Sequence, residues 1–295
     1  MKAGSKLLAV ILALAVGALA AGCGSSLQDK ELKLGNIGWD ESIAIANLTK
    51  ALLEDDLDYD EVRLEQTDSV RYLFQGVSTG DMDAFQDVWL PQQKAYLSEV
   101  EDQVEQLDSW YRGTTRYSIA TPSYMGITSI DQLNDTNADL IFGIEQDVDI
   151  MEAIPDSIIP EYGLEQKLVQ SSTQGMLAEV EKRYRNGEEF AFVAWSPHWM
   201  NQRYDFDYLD DPEGALGDLR QSAEILTIVN EDLPEDDPVA YAFMEALTLD
   251  EEQVNDLEDE INTVSDPQTG VRNWLENNRD VVQPWIDAAS NAQEP

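Results

Sequence analysis

Basic residues are scarce in this sequence. Lys and Arg number 18 against 59 Asp and Glu, for a formal net charge of −41. A chain so short of cations has no patch to lay along a phosphate backbone, so nucleic acid is excluded as a partner. Cysteine is scarcer still. Cys23 stands alone, so no intramolecular disulfide can form. His198 is the only histidine. One imidazole with no cysteine pair makes no zinc set, and the carboxylates lack the spacing of a calcium loop, so neither a metal nor another cofactor is expected. Beyond the first residues no apolar run reaches the ~20 residues that a membrane-spanning helix needs. Sequence repeats and low-complexity stretches are also lacking, apart from acid-rich turns.

What is present argues against a disordered acidic chain. Hydrophobic residues make up 43% of the total, enough for a core, and aromatics are spread along the whole length. The acids sit between apolar positions, as in Leu52-Leu53-Glu54-Asp55-Asp56-Leu57. This pattern predicts a solvated acidic surface over an ordinary core. The acid runs near Asp55–Asp60, Asp210-Asp211, Glu235–Asp237 and Asp250–Glu260 are read as solvated faces. Such a surface keeps a protein hydrated at high salt, where repulsion is screened to within ~3 Å at 1 M. A salt-adapted (halophile) source is therefore expected.

The front of the chain reads as a targeting segment. Lys2 and Lys6 precede the apolar run Leu7–Leu19, and Ala20-Ala21-Gly22 lead directly to Cys23. The run is too short to span a bilayer and its flanks fit a cleaved secretory signal. Small residues before a cysteine resemble the bacterial lipobox. The expectation is a signal peptide over 1–22, lipidation at Cys23 and a linker over 23–31, which would tether the rest extracytoplasmically to a cell membrane.

Apolar periodicity then predicts strands at Leu32–Gly38, Glu61–Glu65 and Ala84–Leu90, and helices at Ser42–Leu53, Val70–Val77 and Gln92–Leu107. Arg116–Pro122 reads as an extended crossing. A second unit follows, with strands at Asp139–Ile144, Lys167–Ser171 and Phe190–Trp195 and helices near Ser129–Leu133, near Ile150 and at Gln174–Tyr184. Ser222–Asn230 is a second extended segment, and Pro238–Asp287 is helical. Strands alternating with helices imply an α/β fold with parallel sheets. Two such units joined by two crossings predict two lobes, the first over 32–121 plus 221–295 and the second over 122–220, with a ligand cleft between them.

Three tryptophans stand at or just past strand ends: Trp39, Trp89 in Val88-Trp89-Leu90-Pro91, and Trp195 in Ala194-Trp195-Ser196-Pro197-His198-Trp199. A packing tryptophan usually sits mid-element, and Trp110, Trp199, Trp274 and Trp285 are read that way. Three indoles at three strand ends facing one cleft suit a quaternary ammonium. That cation has a diffuse charge and no N–H donors, so directed hydrogen bonds cannot hold it. The negative faces of indole rings attract it by ~0.5–2 kcal/mol each.

The chain resembles the glycine betaine substrate-binding proteins of osmoprotectant ABC importers, the OpuAC/ProX-like group. The resemblance covers roughly Leu32 to Ile286. It is carried by Gly38-Trp39-Asp40-Glu41-Ser42, Gly80-Asp81-Met82-Asp83, Trp89-Leu90-Pro91, Pro122-Ser123-Tyr124-Met125, Trp195-Ser196-Pro197-His198-Trp199, Arg203-Tyr204-Asp205 and Leu209-Asp210-Asp211-Pro212, in that order. It implies a two-lobed type II periplasmic binding protein fold and a tryptophan prism made by Trp39, Trp89 and Trp195. It further implies a ligand carboxylate held by the backbone amides of Asp149 and Ile150, and partnership with an ABC permease and its ATPase. A monomer with no enzymatic activity is expected. One departure stands out: where members with the Trp-Leu-Pro motif often have histidine five residues on, this chain has Lys94. Lysine there could pair with the ligand carboxylate or lie solvated on the helix surface.

Within this class, choline, carnitine, proline betaine and a sulfonium betaine remain alternative ligands. From a different class, a surface-anchored hydrolase would use His198 as base for Ser196. It would need a nucleophile and an orienting acid in geometry, and the sequence has no nucleophile-elbow motif. His198 reads instead as a brace for the Trp195 loop. An acidic structural lipoprotein without a ligand is the third alternative.

Overall fold

The computed structural model describes residues 30–293. The expected signal peptide, Cys23 and all but the end of the expected linker lie outside the described residues. The chain runs β1 (Glu31–Asn36), α1 (Asp40–Asp56), β2 (Glu61–Gln66), α2 (Val70–Thr79), β3 (Ala84–Leu90), α3 (Lys94–Val100) and β4 (Val104–Ser109). A short β5 (Tyr111–Arg112) leads to β6 (Arg116–Pro122) and β7 (Leu140–Phe142). Next come α4 (Asp149–Ala153), a wider helical turn over Ile154–Ile158, and α5 (Ile159–Tyr162). β8 (Lys167–Val169), α6 (Thr173–Asn186), β9 (Ala191–Ser196), α7 (Met200–Arg203) and β10 (Phe206–Tyr208) complete this part. The chain then continues through β11 (Glu224–Asn230), α8 (Leu233–Asp236), α9 (Pro238–Ala246), β12 (Leu249–Asp250), α10 (Glu251–Asn262) and α11 (Pro267–Ala292). Among the described residues no helix is long and apolar enough to cross a membrane.

Two five-stranded sheets organise the two lobes, in the orders β2-β1-β3-β11-β4 and β10-β6-β9-β7-β8. The sheets are mixed rather than purely parallel. β1, β2 and β3 run parallel, while β11 inserts antiparallel between β3 and β4. In the second sheet β7 is parallel to β8 and β9, and β6 is antiparallel to both β9 and β10. Antiparallel insertion follows from the two crossings, because each brings the chain into a sheet without a preceding crossover helix.

The sheets also move one expected boundary. Arg116–Pro122 was expected to be a crossing on the first lobe's side of residue 121, but it pairs along its length with β9 and β10 in the second sheet. The switch between sheets therefore lies between Arg112 and Arg116. The expected helix over Gln92–Leu107 is also shorter, ending at Val100, with β4 after it. β4 buries Val104 and Leu107, three residues apart, so its pairing with β11 overrides the helix-like spacing.

α1 is buried along most of its length, packed between the first sheet and α10 and α11. Two C-terminal helices thus cover the face of the lobe that carries Trp39. Trp110, Trp274 and Trp285 are buried packing residues, as expected. Most acids of the four runs are exposed. Asp211 and Glu258 are corrections to that expectation. Both are buried, Asp211 accepting from Tyr162 Oη, Ala215 N and Leu216 N, and Glu258 from Trp199 N at 2.6 Å. Local donors, invisible in a run of acids, decide burial here.

Candidate functional site

The strand ends converge on one cavity of about 470 Å³ of empty space between the lobes. Trp39 follows β1, Trp89 closes β3, and Trp195 closes β9. All three line the cavity and all are buried. The Trp39 and Trp195 rings, from opposite lobes, stand 6.5 Å apart at 53°. The turn before Trp39 depends on Gly38, whose φ is +85°. A Cβ there would come within 2.7 Å of Gln66 Nε2. That tight turn lets the strand pass directly into α1 and leaves the Trp39 ring at the helix start.

Each cage indole donates its N–H to a carboxylate. Trp39 Nε1 donates to Glu145 Oε2 at 3.1 Å, Trp89 Nε1 to Asp87 Oδ1 at 2.8 Å, and Trp195 Nε1 to Glu41 Oε2 at 3.1 Å. With the N–H edges taken, the ring faces are what remains for a ligand. A carboxyl at the indole edge also polarises the ring and strengthens its pull on a cation.

The carboxyls behind the rings are crowded. Burial pushes Glu41 well above the usual carboxylate range, and the charges of Asp87 and Glu258 push it the same way. Burial raises Asp87 to about 7 against the opposing hydrogen bonds of Trp89 and Ser42. Burial, with Asp40 and Asp87 nearby, also raises Glu258 well above its usual value. The second oxygens Glu41 Oε1, Asp87 Oδ2 and Glu258 Oε1 are buried without a hydrogen-bond partner. This end of the cavity is thus rich in carboxyl groups, and no Lys or Arg lines it.

The part of the lining near α4 mixes apolar and polar side chains. Val148 and Asp149 stand there at the start of α4, together with Gln92, Gln93 and Asp147. Among the described residues the backbone N–H groups of Asp149 and Ile150 have no hydrogen-bond partner, as first-turn amides of a helix do not. Ile150 is fully buried and is not among the residues that line the cavity. Burial, then the charge of Glu152, raises the Asp149 carboxyl to about 6. Lys94 does not join this end. It is exposed at the start of α3 and borders an outer depression with Asp149, Glu152 and Asp156. The turn before α3 instead buries Gln93, which accepts from Trp89 N at 3.2 Å and lines the cavity.

His198 is fully buried and edge-on to Trp195, the ring centroids 4.7 Å apart at 82°. Met200 N donates to its Nδ1 at 3.0 Å, so the proton sits on Nε2, which lies 3.1 Å from Asp40 Oδ2. Burial opposes ionisation of Asp40, but His198, Asn262 and Trp199 together hold it below its usual value. Ser196 Oγ donates to Glu251 Oε1 at 3.0 Å and not to the imidazole. The nucleophile–base pair that a hydrolase needs is therefore not formed, and His198 braces the β9 end against α1.

The sequence reading missed several lining residues. Tyr117 stands directly opposite Trp195 in the β6–β9 ladder, so both side chains share a face. Tyr96 lines the cavity and donates to Asp147 O across the lobes at 2.7 Å. Asp87 could have been found from its spacing, since two residues before Trp89 on a strand places it on the same face. Glu41 lies in a quoted motif beside Trp39. Nothing in the sequence signals Glu145 as the partner of a residue 106 positions away.

Comparisons with known proteins identify the family and the fold. The family described as the substrate binding domain of ABC-type glycine betaine transport systems, OpuAC, matches residues 30–277. The glycine betaine/carnitine transport binding protein GbuC of Listeria monocytogenes serotype 1/2a (strain 10403S) is 32% identical over 160 residues. That match covers 53% of this chain and 51% of the relative, so the chain spans about half the length of that protein. Lactococcal OpuAC, in a closed conformation with glycine betaine, is similar at 27% identity and a TM-score of 0.77, over 88% of this chain and 100% of that one. The glycine/betaine/L-proline-binding protein ProX from Borrelia burgdorferi shares the fold at 24% identity and a TM-score of 0.78, over 90% of this chain and 100% of its own.

Proposed function

We propose, for a chain that belongs to the OpuAC family of substrate-binding domains of ABC-type glycine betaine transport systems, that it captures a betaine-type quaternary ammonium solute in a cage of Trp39, Trp89 and Trp195 and delivers it to a membrane permease paired with an ATPase. It does no chemistry on the solute. The observation that carries this reading is the convergence of three indole faces on one cavity with all three N–H edges turned to carboxylates. Such faces offer a methylated cation electrostatic attraction and apolar contact at once, about 0.5–2 kcal/mol of attraction per ring before burial of the methyl groups.

The free amides of Asp149 and Ile150 take the opposite end, where a helix start favours a carboxylate. A zwitterion then touches both lobes. Its contacts exist only in the closed state, and the ligand favours closure by that difference. Titration calorimetry with glycine betaine tests the reading. Saturable one-to-one binding supports it, and silence toward every methylated-ammonium solute overturns it.

A second ligand reading, choline, is favoured by one feature. The Glu41 carboxyl lines the cavity, whereas Lys94, the cation considered for the ligand carboxylate, lies outside it. Competition between choline and glycine betaine in the same cell separates the two.

Two wider parts of the proposal rest on the sequence. Cys23 carries a lipid that holds the protein on the outer side of a cell membrane. Cys23→Ala should shift it from the membrane fraction to the medium. The acidic surface suits a salt-rich setting, so the thermal midpoint should rise as KCl increases toward ~1 M, where the screening length is ~3 Å. A midpoint unaffected by salt contradicts that adaptation.

A further inference from the structure

The three cage tryptophans are not held in the same way. Trp89 donates to Asp87, two residues earlier on its own strand, so its ring is set within one lobe. Trp39 and Trp195 are held from across the cleft. Trp39, at the end of β1 in the first lobe, donates to Glu145, which follows β7 in the second. Trp195, at the end of β9 in the second lobe, donates to Glu41, in the first turn of α1 in the first. The two bonds are reciprocal: each lobe supplies one ring and the acceptor for the other lobe's ring.

One of the two acceptors is braced by hydrogen bonds within its own lobe before the other lobe arrives. Glu145 accepts from Thr173 N at 2.7 Å and from Thr173 Oγ1 at 2.8 Å, both at the start of α6 in its own lobe. Glu41 is placed by its backbone in the packed helix α1, and the one hydrogen bond its carboxyl accepts is from Trp195. A rigid acceptor meeting a ring by its edge fixes the ring plane. Around this pair, Gln174 Nε2 donates to Gly38 O at 2.9 Å and Tyr96 Oη to Asp147 O at 2.7 Å, so the surfaces already meet at hydrogen-bonding distance.

We propose that Glu41 and Glu145 are reciprocal positioning residues, each orienting a cage tryptophan of the opposite lobe, so that assembly of the cage and closure of the cleft are a single event. Separating the lobes breaks both bonds and frees both rings, while Trp89 stays set. The open protein therefore presents one oriented ring for first contact, and the other two lock over the solute on closing. Loss of either acceptor acts on escape from the closed state. It leaves capture by the open state unchanged, because neither bond exists there.

The inference rests on the proposed binding function, so the test separates the two. The full chain is mixed with glycine betaine and tryptophan fluorescence is followed by stopped flow. Glu41→Leu and Glu145→Leu should raise the dissociation rate roughly 10-fold or more, as expected for loss of a hydrogen bond to a buried carboxyl, with an association rate within about twofold of wild type. Glu41→Gln keeps an acceptor and should restore most of the loss. Because Glu145 also holds α6, a donor-side arm uses Trp39→Phe and Trp195→Phe, which keep a smaller aromatic face and delete the N–H. In double-mutant cycles, Trp39→Phe should couple to Glu145→Leu, and Trp195→Phe to Glu41→Leu. The mismatched pairs, Trp39→Phe with Glu41→Leu and Trp195→Phe with Glu145→Leu, should be additive.

Equal coupling in matched and mismatched pairs overturns the proposal, as do unchanged dissociation rates in both Leu variants. Should the wild-type chain bind no methylated-ammonium solute, the binding function falls and the latch is read without ligand. Lobe-to-lobe distances measured between spin labels on exposed sites should then lengthen in the Leu variants, and an unmoved distribution overturns it.

Discussion

The two ends of the cavity are built from different materials. One end is made of side chains: three indole rings and Tyr117, backed by the carboxyls of Glu41, Asp87 and Glu145. The other lies at the start of α4, where first-turn amides are free, with the amide side chains of Gln92 and Gln93 also in the lining. The contrast suits the two charges of the betaine proposed as ligand. A diffuse, donor-free cation needs polarisable faces, which only aromatic side chains supply. A compact carboxylate needs N–H groups at fixed positions, which any helix start supplies regardless of sequence.

The largest expected effect lies at the aromatic end. Trp89→Ala removes the ring that one lobe holds by itself. The loss of its cation attraction and methyl contacts is about 2–4 kcal/mol, or roughly 30- to 1,000-fold in affinity for betaine and choline alike. Equal affinity of Trp89→Ala and wild type in calorimetry would break the comparison at once.

The backbone end should respond to a different change. Asp149→Pro deletes one N–H at the first position of α4, where proline is tolerated, and Val148 before it already has the extended backbone that proline prefers (φ −105°, ψ 145°). Affinity for glycine betaine should fall by roughly 10-fold, the worth of one hydrogen bond to a charged group, with choline binding unchanged. An equal fall for both ligands would assign Asp149 to the cation end instead.

pH sharpens the same contrast more gently. A bound cation favours ionised carboxyls, so it pulls the proton off Asp87, which burial holds at about 7 in the empty site. Affinity for a methylated cation should therefore rise several-fold from pH 6 to pH 8 and then level off. The unliganded protein should show the opposite trend. The folded-state value of Asp87 lies above its unfolded value, so the folded form binds more protons, and stability falls as pH rises from the ordinary carboxylate range to about 7. Asp87→Asn should flatten both profiles. The smallest effect belongs to Lys94→Ala, which should alter betaine affinity by less than about twofold, because the side chain is exposed outside the cavity.

The aromatic end was far more legible in the sequence than the backbone end or its supports. A position at or just past a strand end is unusual for a packing tryptophan, and the three tryptophans at such positions all line the cavity. Strand spacing alone would have added Asp87. Lys94 misled because counting from Trp89 cannot show that the intervening turn buries Gln93 and leaves the next side chain outside. Glu145 and Tyr117 were beyond reach, since their roles depend on the meeting of the lobes and on the register of an antiparallel pair. β4 and β10 were lost for the same reason. Their sequences are half polar, and only pairing with β11 and β6 makes them strands.

The most direct test of the whole account is calorimetric titration of the wild-type chain with glycine betaine, repeated with Trp89→Ala. The account predicts saturable one-to-one binding that Trp89→Ala weakens at least ~30-fold while leaving the thermal midpoint of the folded protein near its wild-type value. No binding by the wild type, or binding that survives the loss of the ring, would contradict it.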